Sequence, residues 1–150
     1  MASTYGKIIS AFPGTGKSRF VKSQGTNRAL LDSDSSTFSK DKFPENYVDH
    51  IEKAYKSGKI IFVSSHEAVR DEMKRRELPY TIVYPNSDLK EEYIDRYMSR
   101  GSPIQFVTLL DSKWNEFLDS CHRDTYLMIP TVVLEKAQTI ASRIIDILFT

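Results

Sequence analysis

The sequence predicts an α/β fold, a three-layer α/β/α domain on a five-stranded, mostly parallel sheet. Three observations predict it. Short apolar runs are continuous rather than alternating, which suits strands covered on both faces. Helical segments with start and stop signals lie between most of them. The chain has 150 residues, 40% of them hydrophobic, enough for one domain with a full-sized core. Right-handed crossovers follow from that alternation.

The first strand is read at Lys7-Ile8-Ile9-Ser10, with a helix opening after it at Arg19-Phe20-Val21-Lys22. Ala29-Leu30-Leu31 is the second strand. A helix opens at Pro44-Glu45 and ends near Gly58. Ile60-Ile61-Phe62-Val63 is the third strand. Ser64 and Glu67 then stand at capping-box spacing. Thr81-Ile82-Val83-Tyr84 is the fourth strand, followed by a helix with Asp88 and Glu91 at similar spacing, stopping at Gly101-Ser102-Pro103. From Gln105 to Cys121 an apolar stripe of Phe106, Leu109, Leu110, Trp114, Phe117, Leu118 and Cys121 marks a core-facing helix. Tyr126-Leu127-Met128-Ile129 is the fifth predicted strand. The last helix carries Leu134, Ala137, Ile140, Ala141, Ile144, Ile145 and Leu148 on one face. The whole is read as a single domain over 1–150, with its core in 5–85 and 122–150 and a lid with following helices over about 86–121.

Composition excludes several classes. The formal net charge is +1, so no broad field for nucleic acid or an anionic membrane is expected. The run Lys74-Arg75-Arg76 reads as a solvated helix face. Cys121 is the single cysteine, which rules out an internal disulfide and a cysteine-based zinc site. No apolar leader core and no run of membrane-spanning length is present, so the expected location is cytoplasmic.

The chemistry centres on Ala11-Phe12-Pro13-Gly14-Thr15-Gly16-Lys17-Ser18, which fits the G/A-x-x-x-x-G-K-S/T phosphate-binding pattern. Glycines let the backbone wrap a polyphosphate with successive N–H groups facing inward. Lys17 supplies a charge for β- and γ-phosphates, and the Ser18 hydroxyl suits Mg²⁺. Pro13, Gly14, Thr15, Gly16, Lys17, Ser18 and Arg19 are the candidate nucleotide-binding residues. Strand, loop and helix in this order predict a P-loop NTPase domain.

Four further places qualify. Asp32-Ser33-Asp34 ends the second strand, where ligands of such sheets collect. A carboxylate there accepts a hydroxyl proton or holds a Mg²⁺ water shell; an Asx-capped turn is the alternative. Ser64-Ser65-His66 ends the third strand without the acid that often holds Mg²⁺ there. His66 is able to change charge near neutral pH or, as a lone histidine, is structural, while His50 and His122 give no ligand pattern. Arg70 reaches a bound anion or pairs with Glu67 or Asp71. Arg96 and Arg100 share a helix face beside Gly101 and either close over a triphosphate or pair with Glu92 and Asp95.

Together these stretches resemble the nucleoside monophosphate kinase and gluconate kinase group. Pro13-Gly14-Thr15-Gly16-Lys17-Ser18 is similar to the phosphate loop of the former. Asp32-Ser33-Asp34, Val63 through Asp71, and Arg96, Arg100, Phe106 with Leu109-Leu110-Asp111-Ser112 and Phe117-Leu118 are similar to stretches of the latter. The compact form also resembles small nucleotide kinases carried by bacteriophages. The resemblance implies ATP and Mg²⁺ as cosubstrates, Asp34 near the acceptor, Arg70 on its anionic group, and Arg96 and Arg100 in a lid. The Asp-Gly-Phe-Pro-Arg run of adenylate kinases is absent.

The expectation is transfer of the ATP γ-phosphoryl to a small acceptor, first a (deoxy)nucleoside monophosphate. Lys17, Asp34, Arg96 and Arg100 would be catalytic, Asp32, Asp34 and Arg70 substrate-binding, and Ser18 the metal residue. A sugar acid or other hydroxy compound is the rival acceptor, and nucleotide binding without turnover the rival class. Neither an Asn/Thr-Lys-x-Asp guanine motif nor an acid closing the third strand supports a switch or a mechanical ATPase.

Overall fold

A computed structural model describes residues 5–150. Residues 1–4, on which part of the reading of the N-terminus falls, lie outside the described residues. The strands are β1 (Lys7–Ala11), β2 (Leu30–Asp32), β3 (Ile60–Ser64), β4 (Thr81–Pro85) and β5 (Thr131–Leu134). They form one sheet in the order β2-β3-β1-β4-β5, and every pairing is parallel. The helices are α1 (Lys17–Ser23), α2 (Glu45–Lys56), α3 (Glu67–Arg75), α4 (Lys90–Ser99), α5 (Ile104–Arg123) and α6 (Ile144–Leu148).

Alternation along β1 explains the layers. Ile8 and Phe12 belong to one buried cluster with Ile61, Ile82, Tyr47 and Val48 of α2, Met73 of α3, Tyr93 and Tyr97 of α4, and Trp114 of α5. Ile9 and Ala11 belong to the other, with Phe62, Val83, Phe20 of α1 and Ile147 of α6. Helices therefore cover both faces, as continuous apolar strands require. From β1 the chain crosses β3 to reach β2; from β3 it crosses back over β1 to reach β4. The connections thus reverse at β1, and in open parallel sheets ligands collect at the carboxyl end of the strands around such a point.

Two predicted elements are corrected. Tyr126–Ile129 is not a strand: Asp124–Leu127 is a 3-10 turn, and Met128 is left-handed with φ 62. Tyr126, Leu127 and Met128 are exposed. The fifth strand is Thr131–Leu134, paired through Val132 and Val133 with Val83 and Tyr84. β-Branched residues after Pro130 suit that ladder. Burying Val132 and Leu134 contributes about 1.5–3 kcal/mol each, which fixes the frame. Leu134 therefore leaves the predicted last helix. Ala137 has φ 63, which stops a helix there, and only Ile144–Leu148 is α-helical. Ile145 of the predicted apolar face is exposed.

Smaller corrections concern helix starts. His66, not Ser64, is the N-cap of α3 and makes no side-chain cap bond; Ser64 Oγ accepts from the His66 amide instead. A 3-10 turn, Ser87–Leu89, precedes α4, and the Asn86 side chain caps it through the Asp88 amide. Helix α5 follows the predicted stripe, except that Leu109 is exposed and Lys113 interrupts the helix with φ −112, ψ 15. Lys74, Arg75 and Arg76 are not a merely solvated face. They pair with Asp124, with Glu72, and with Glu72, Asp49 and Glu52 respectively, tying α3 to α2 and to the turn after α5. Among the described residues no helix is long and apolar enough to cross a membrane.

Candidate functional site

The loop from Phe12 to Gly16 leaves β1 at the sheet's reversal point and runs into α1. Gly14 (φ 87) and Gly16 (φ 94) occupy backbone conformations that side chains disfavour. A methyl group at Gly14 would sit 2.8 Å from Tyr97 Cε1 and 3.1 Å from Tyr93 Cδ2, so the loop also depends on close approach there. Thr15 is buried and donates its hydroxyl to the Phe12 carbonyl at 2.7 Å, closing the turn from inside.

Three consecutive loop carbonyls are held by outside donors. Tyr97 Oη donates to Pro13 O at 2.7 Å, Arg96 Nη1 to Gly14 O at 2.8 Å, and the Ile140 amide to Thr15 O at 2.9 Å. The amides of Gly14, Gly16, Lys17, Ser18 and Arg19 find no backbone partner among the described residues. Unpaired N–H groups of successive residues make an anion-binding concavity.

Lys17 and Ser18 both meet Asp32. Ser18 Oγ donates to Asp32 Oδ2 at 2.5 Å, and Lys17 Nζ lies 3.7 Å from Asp32 Oδ1. β3 ends in Ser64 without an acid, and Asp32 at the end of β2 is the carboxylate that meets the loop's hydroxyl and ammonium. Among the described residues no group of three or more His, Cys, Asp or Glu is arranged to hold a metal. Mg²⁺ commonly takes one or two protein oxygens and completes its shell with phosphate and water. Ser18 and Asp32 fit that donor set.

Asp34 is separate from this contact. Its Oδ1 accepts from the Ser36 amide at 2.9 Å and caps the 3-10 turn Ser35–Thr37. That amide, aided by Lys17, holds the Asp34 carboxyl below the usual carboxylate range. The segment after β2 is fastened from beneath by Tyr47, which donates to Ser33 O at 2.7 Å and accepts from the Ser64 amide at 3.1 Å. Burial pushes the Tyr47 hydroxyl up to about 12, so it stays a neutral donor.

The structure does not bring Arg70 to this site. Arg70 is 2% exposed and paired with neither Glu67 nor Asp71. Nε donates to Ser65 O at 2.8 Å, Nη1 to Ser120 O at 3.1 Å, Nη2 to Ser120 Oγ at 2.5 Å, and Nη1 lies 3.2 Å from Asp124 Oδ2. Those bonds fasten α3 to α5. Arg96 and Arg100 also part company. Arg96 lies against the outside of the loop, its Nη2 donating to Glu92 Oε2 at 2.8 Å and its guanidinium 4.4 Å above the Tyr93 ring. Arg100 is exposed, packs on the Tyr97 ring at 5.1 Å, and donates Nε to Ser102 Oγ at 2.9 Å. Residues 86–121, expected to include a lid, place Tyr93, Tyr97, Leu110, Trp114 and Leu118 in the same core as the sheet.

Sequence reasoning missed Tyr97 and Ile140 as loop partners. The only written signal was Tyr93 and Tyr97 four apart in register with Glu92 and Arg96, one helical face beside the other. Ile140 acts through its backbone, which leaves no side-chain signal. Comparisons with protein-family models, with curated proteins and with solved structures find no match.

Proposed function

We propose that this chain is an ATP- and Mg²⁺-dependent phosphotransferase with a P-loop NTPase fold, akin to the nucleoside monophosphate and gluconate kinase group. It moves the γ-phosphoryl of ATP to a small acceptor, first a (deoxy)nucleoside monophosphate. The observation that carries the reading is the meeting of Lys17 and Ser18 with Asp32 at a loop of unpaired amides.

In this reading the amides of Gly14, Gly16, Lys17, Ser18 and Arg19 cradle the polyphosphate, and Lys17 neutralises its β- and γ-oxygens. Ser18 and Asp32 would hold Mg²⁺, which would supply charge compensation to the phosphates. An acceptor oxygen forms a bond to the γ-phosphorus while the bond to the bridging β–γ oxygen breaks, leaving ADP. Asp34, beside the loop, orients the acceptor. Arg100, the exposed C-cap of α4, remains for charge developing on the transferred group. Positioning and electrostatics do most of the work in such transfers.

The test is calorimetry with Mg·ATP, followed by a turnover screen over nucleoside monophosphates and sugar acids. Wild type should bind, and Lys17→Ala should lose binding or turnover with its melting temperature unchanged. Equal ATP affinity and activity in folded Lys17→Ala would remove the assignment. Binding without turnover on any acceptor would favour a nucleotide-binding protein.

A further inference from the structure

We propose that Glu92 and Arg96 are a positioning pair that sets the binding shape of the phosphate loop from outside. The inference rests on the loop being the nucleotide site, and it gives Arg96 a different task from covering phosphate.

In a trans peptide the C=O and the following N–H point in opposite directions. Holding the carbonyls of Pro13, Gly14 and Thr15 outward therefore sets the planes that carry the amides of Gly14, Thr15 and Gly16. Two of those three carbonyl contacts lead back to Glu92. One oxygen, Oε2, receives Arg96 Nη2 at 2.8 Å and so aims Arg96 Nη1 at the Gly14 carbonyl. Both oxygens also lie 3.2–3.3 Å from the Ala137 amide. Ala137 is left-handed and opens the segment whose Ile140 amide holds Thr15 O and whose Thr139 faces Gly16. Arg96 also donates to Gln138 O, at 3.4 Å.

The Arg96 charge is matched by Glu92, while its field polarises the Gly14–Thr15 peptide. To reach a phosphate, Arg96 would leave the Gly14 carbonyl without its side-chain donor and the Glu92 carboxylate without its counter-charge, held by the Ala137 amide alone, which is costly for half-buried groups. Glu92 therefore separates the two tasks. If Arg96 touches the transferred phosphoryl, releasing it from Glu92 keeps or raises kcat. If it positions the loop, loss of Glu92 acts like loss of Arg96.

The experiment compares Glu92→Gln, Arg96→Met, the double variant and Glu91→Gln, an exposed neighbour. Amide ¹⁵N spectra are recorded on each protein alone, and Mg·ATP affinity and steady-state kinetics follow. Glu92→Gln and Arg96→Met should each move the Thr15 and Gly16 amide resonances and raise the Kd for Mg·ATP about tenfold, as for one lost charged hydrogen bond. The double variant should bind no worse than Arg96→Met alone, because the two act as one unit. Saturating kcat should change less than Kd, and Glu91→Gln should match wild type. Unmoved loop resonances, or a collapse of kcat with Kd intact, overturn the proposal. If wild type binds no Mg·ATP, the kinase reading falls, and the spectra alone still decide the clamp. If Arg96→Met does not fold, the near-isosteric Glu92→Gln carries both measurements.

Discussion

Asp32 and Asp34 are two residues apart and answer to different neighbours. Asp32 is bound to Ser18 and Lys17, while Asp34 is capped by the Ser36 amide. Asp34 is held ionised and is a weak base. That makes its replacement a probe of the acceptor. An acceptor phosphate arrives ionised and needs no base, whereas an acceptor hydroxyl must shed a proton. With a hydroxy compound as acceptor, Asp34→Asn should lower kcat by about a hundredfold. With a nucleoside monophosphate the loss should stay within about threefold, since little base catalysis is at stake. Steady-state kinetics on both acceptor classes measures this, and ATP affinity should hardly change. The motif residues were legible because glycine, lysine and serine at fixed spacing have few other uses. Arg70 was not, since its partners Ser120 and Asp124 lie 50 and 54 positions away and leave no local trace.

Among elements, the loop and α4 are a single packed unit. Gly14→Ala should show this directly. The new methyl would meet the ring of Tyr97, which is buried and hydrogen-bonded to Pro13, so the ring cannot yield. Strained backbone together with the overlap should cost about 2 kcal/mol. Calorimetric melting should fall by about 4–8 °C, and Mg·ATP affinity should fall with it. Unaltered melting would mean that α4 moves away from the loop without cost. The four N-terminal strands were readable as continuous apolar runs. The fifth was not, because Tyr126-Leu127-Met128-Ile129 is as apolar as Thr131-Val132-Val133-Leu134. What separates them is long-range: β4 pairs with the second, and Tyr80 and Lys74 hold Asp124 ahead of the first. Leu134 to Leu148 copied a helical period although its buried members, Leu134 and Ile140, come from a strand and a turn, and the short helix after them buries Ile147, which the predicted stripe left out.

At the scale of the whole molecule, Arg70 and Asp124 join β3, α3, α5 and the entry to β4. Asp124 is 1% exposed and accepts from Lys74 Nζ and Tyr80 Oη, each at 2.6 Å. Burial raises its pKa, but those two bonds and the Arg70 charge outweigh burial and leave it below the ordinary 3.8. The unfolded chain therefore takes up this proton at a higher pH than the folded chain. Stability from Asp124 is complete above about pH 4 and is lost as pH falls through the folded value. Glu72, held near 2 by Arg75 and Arg76, adds to the same acid limb. Melting followed against pH should thus fall steeply below pH 4 in wild type and less steeply in Asp124→Asn, whose plateau is also lower. Arg70→Met should lower stability by about 3 kcal/mol, as expected for a broken buried pair. The KM for the acceptor should stay near wild type; a large rise in that KM at unchanged melting would return Arg70 to the acceptor site.

Trp114 follows the interruption at Lys113, meets the Phe12 ring edge-on at 5.5 Å, and donates its indole N–H to Ser87 O at 2.9 Å. It is the single tryptophan of the chain. The loop therefore carries its own optical gauge. Indole emission depends on the packing and polarity around one ring, and here that ring touches the residue from which the loop departs. Filling the loop should alter the intensity or colour of this emission, and a titration with Mg·ATP should saturate at the calorimetric Kd. Lys17→Ala should abolish the response, and Trp114→Phe should silence it while leaving binding within about threefold, since one aromatic ring replaces another. The signal needs no label, so binding and unfolding can be followed on the same sample through the same residue.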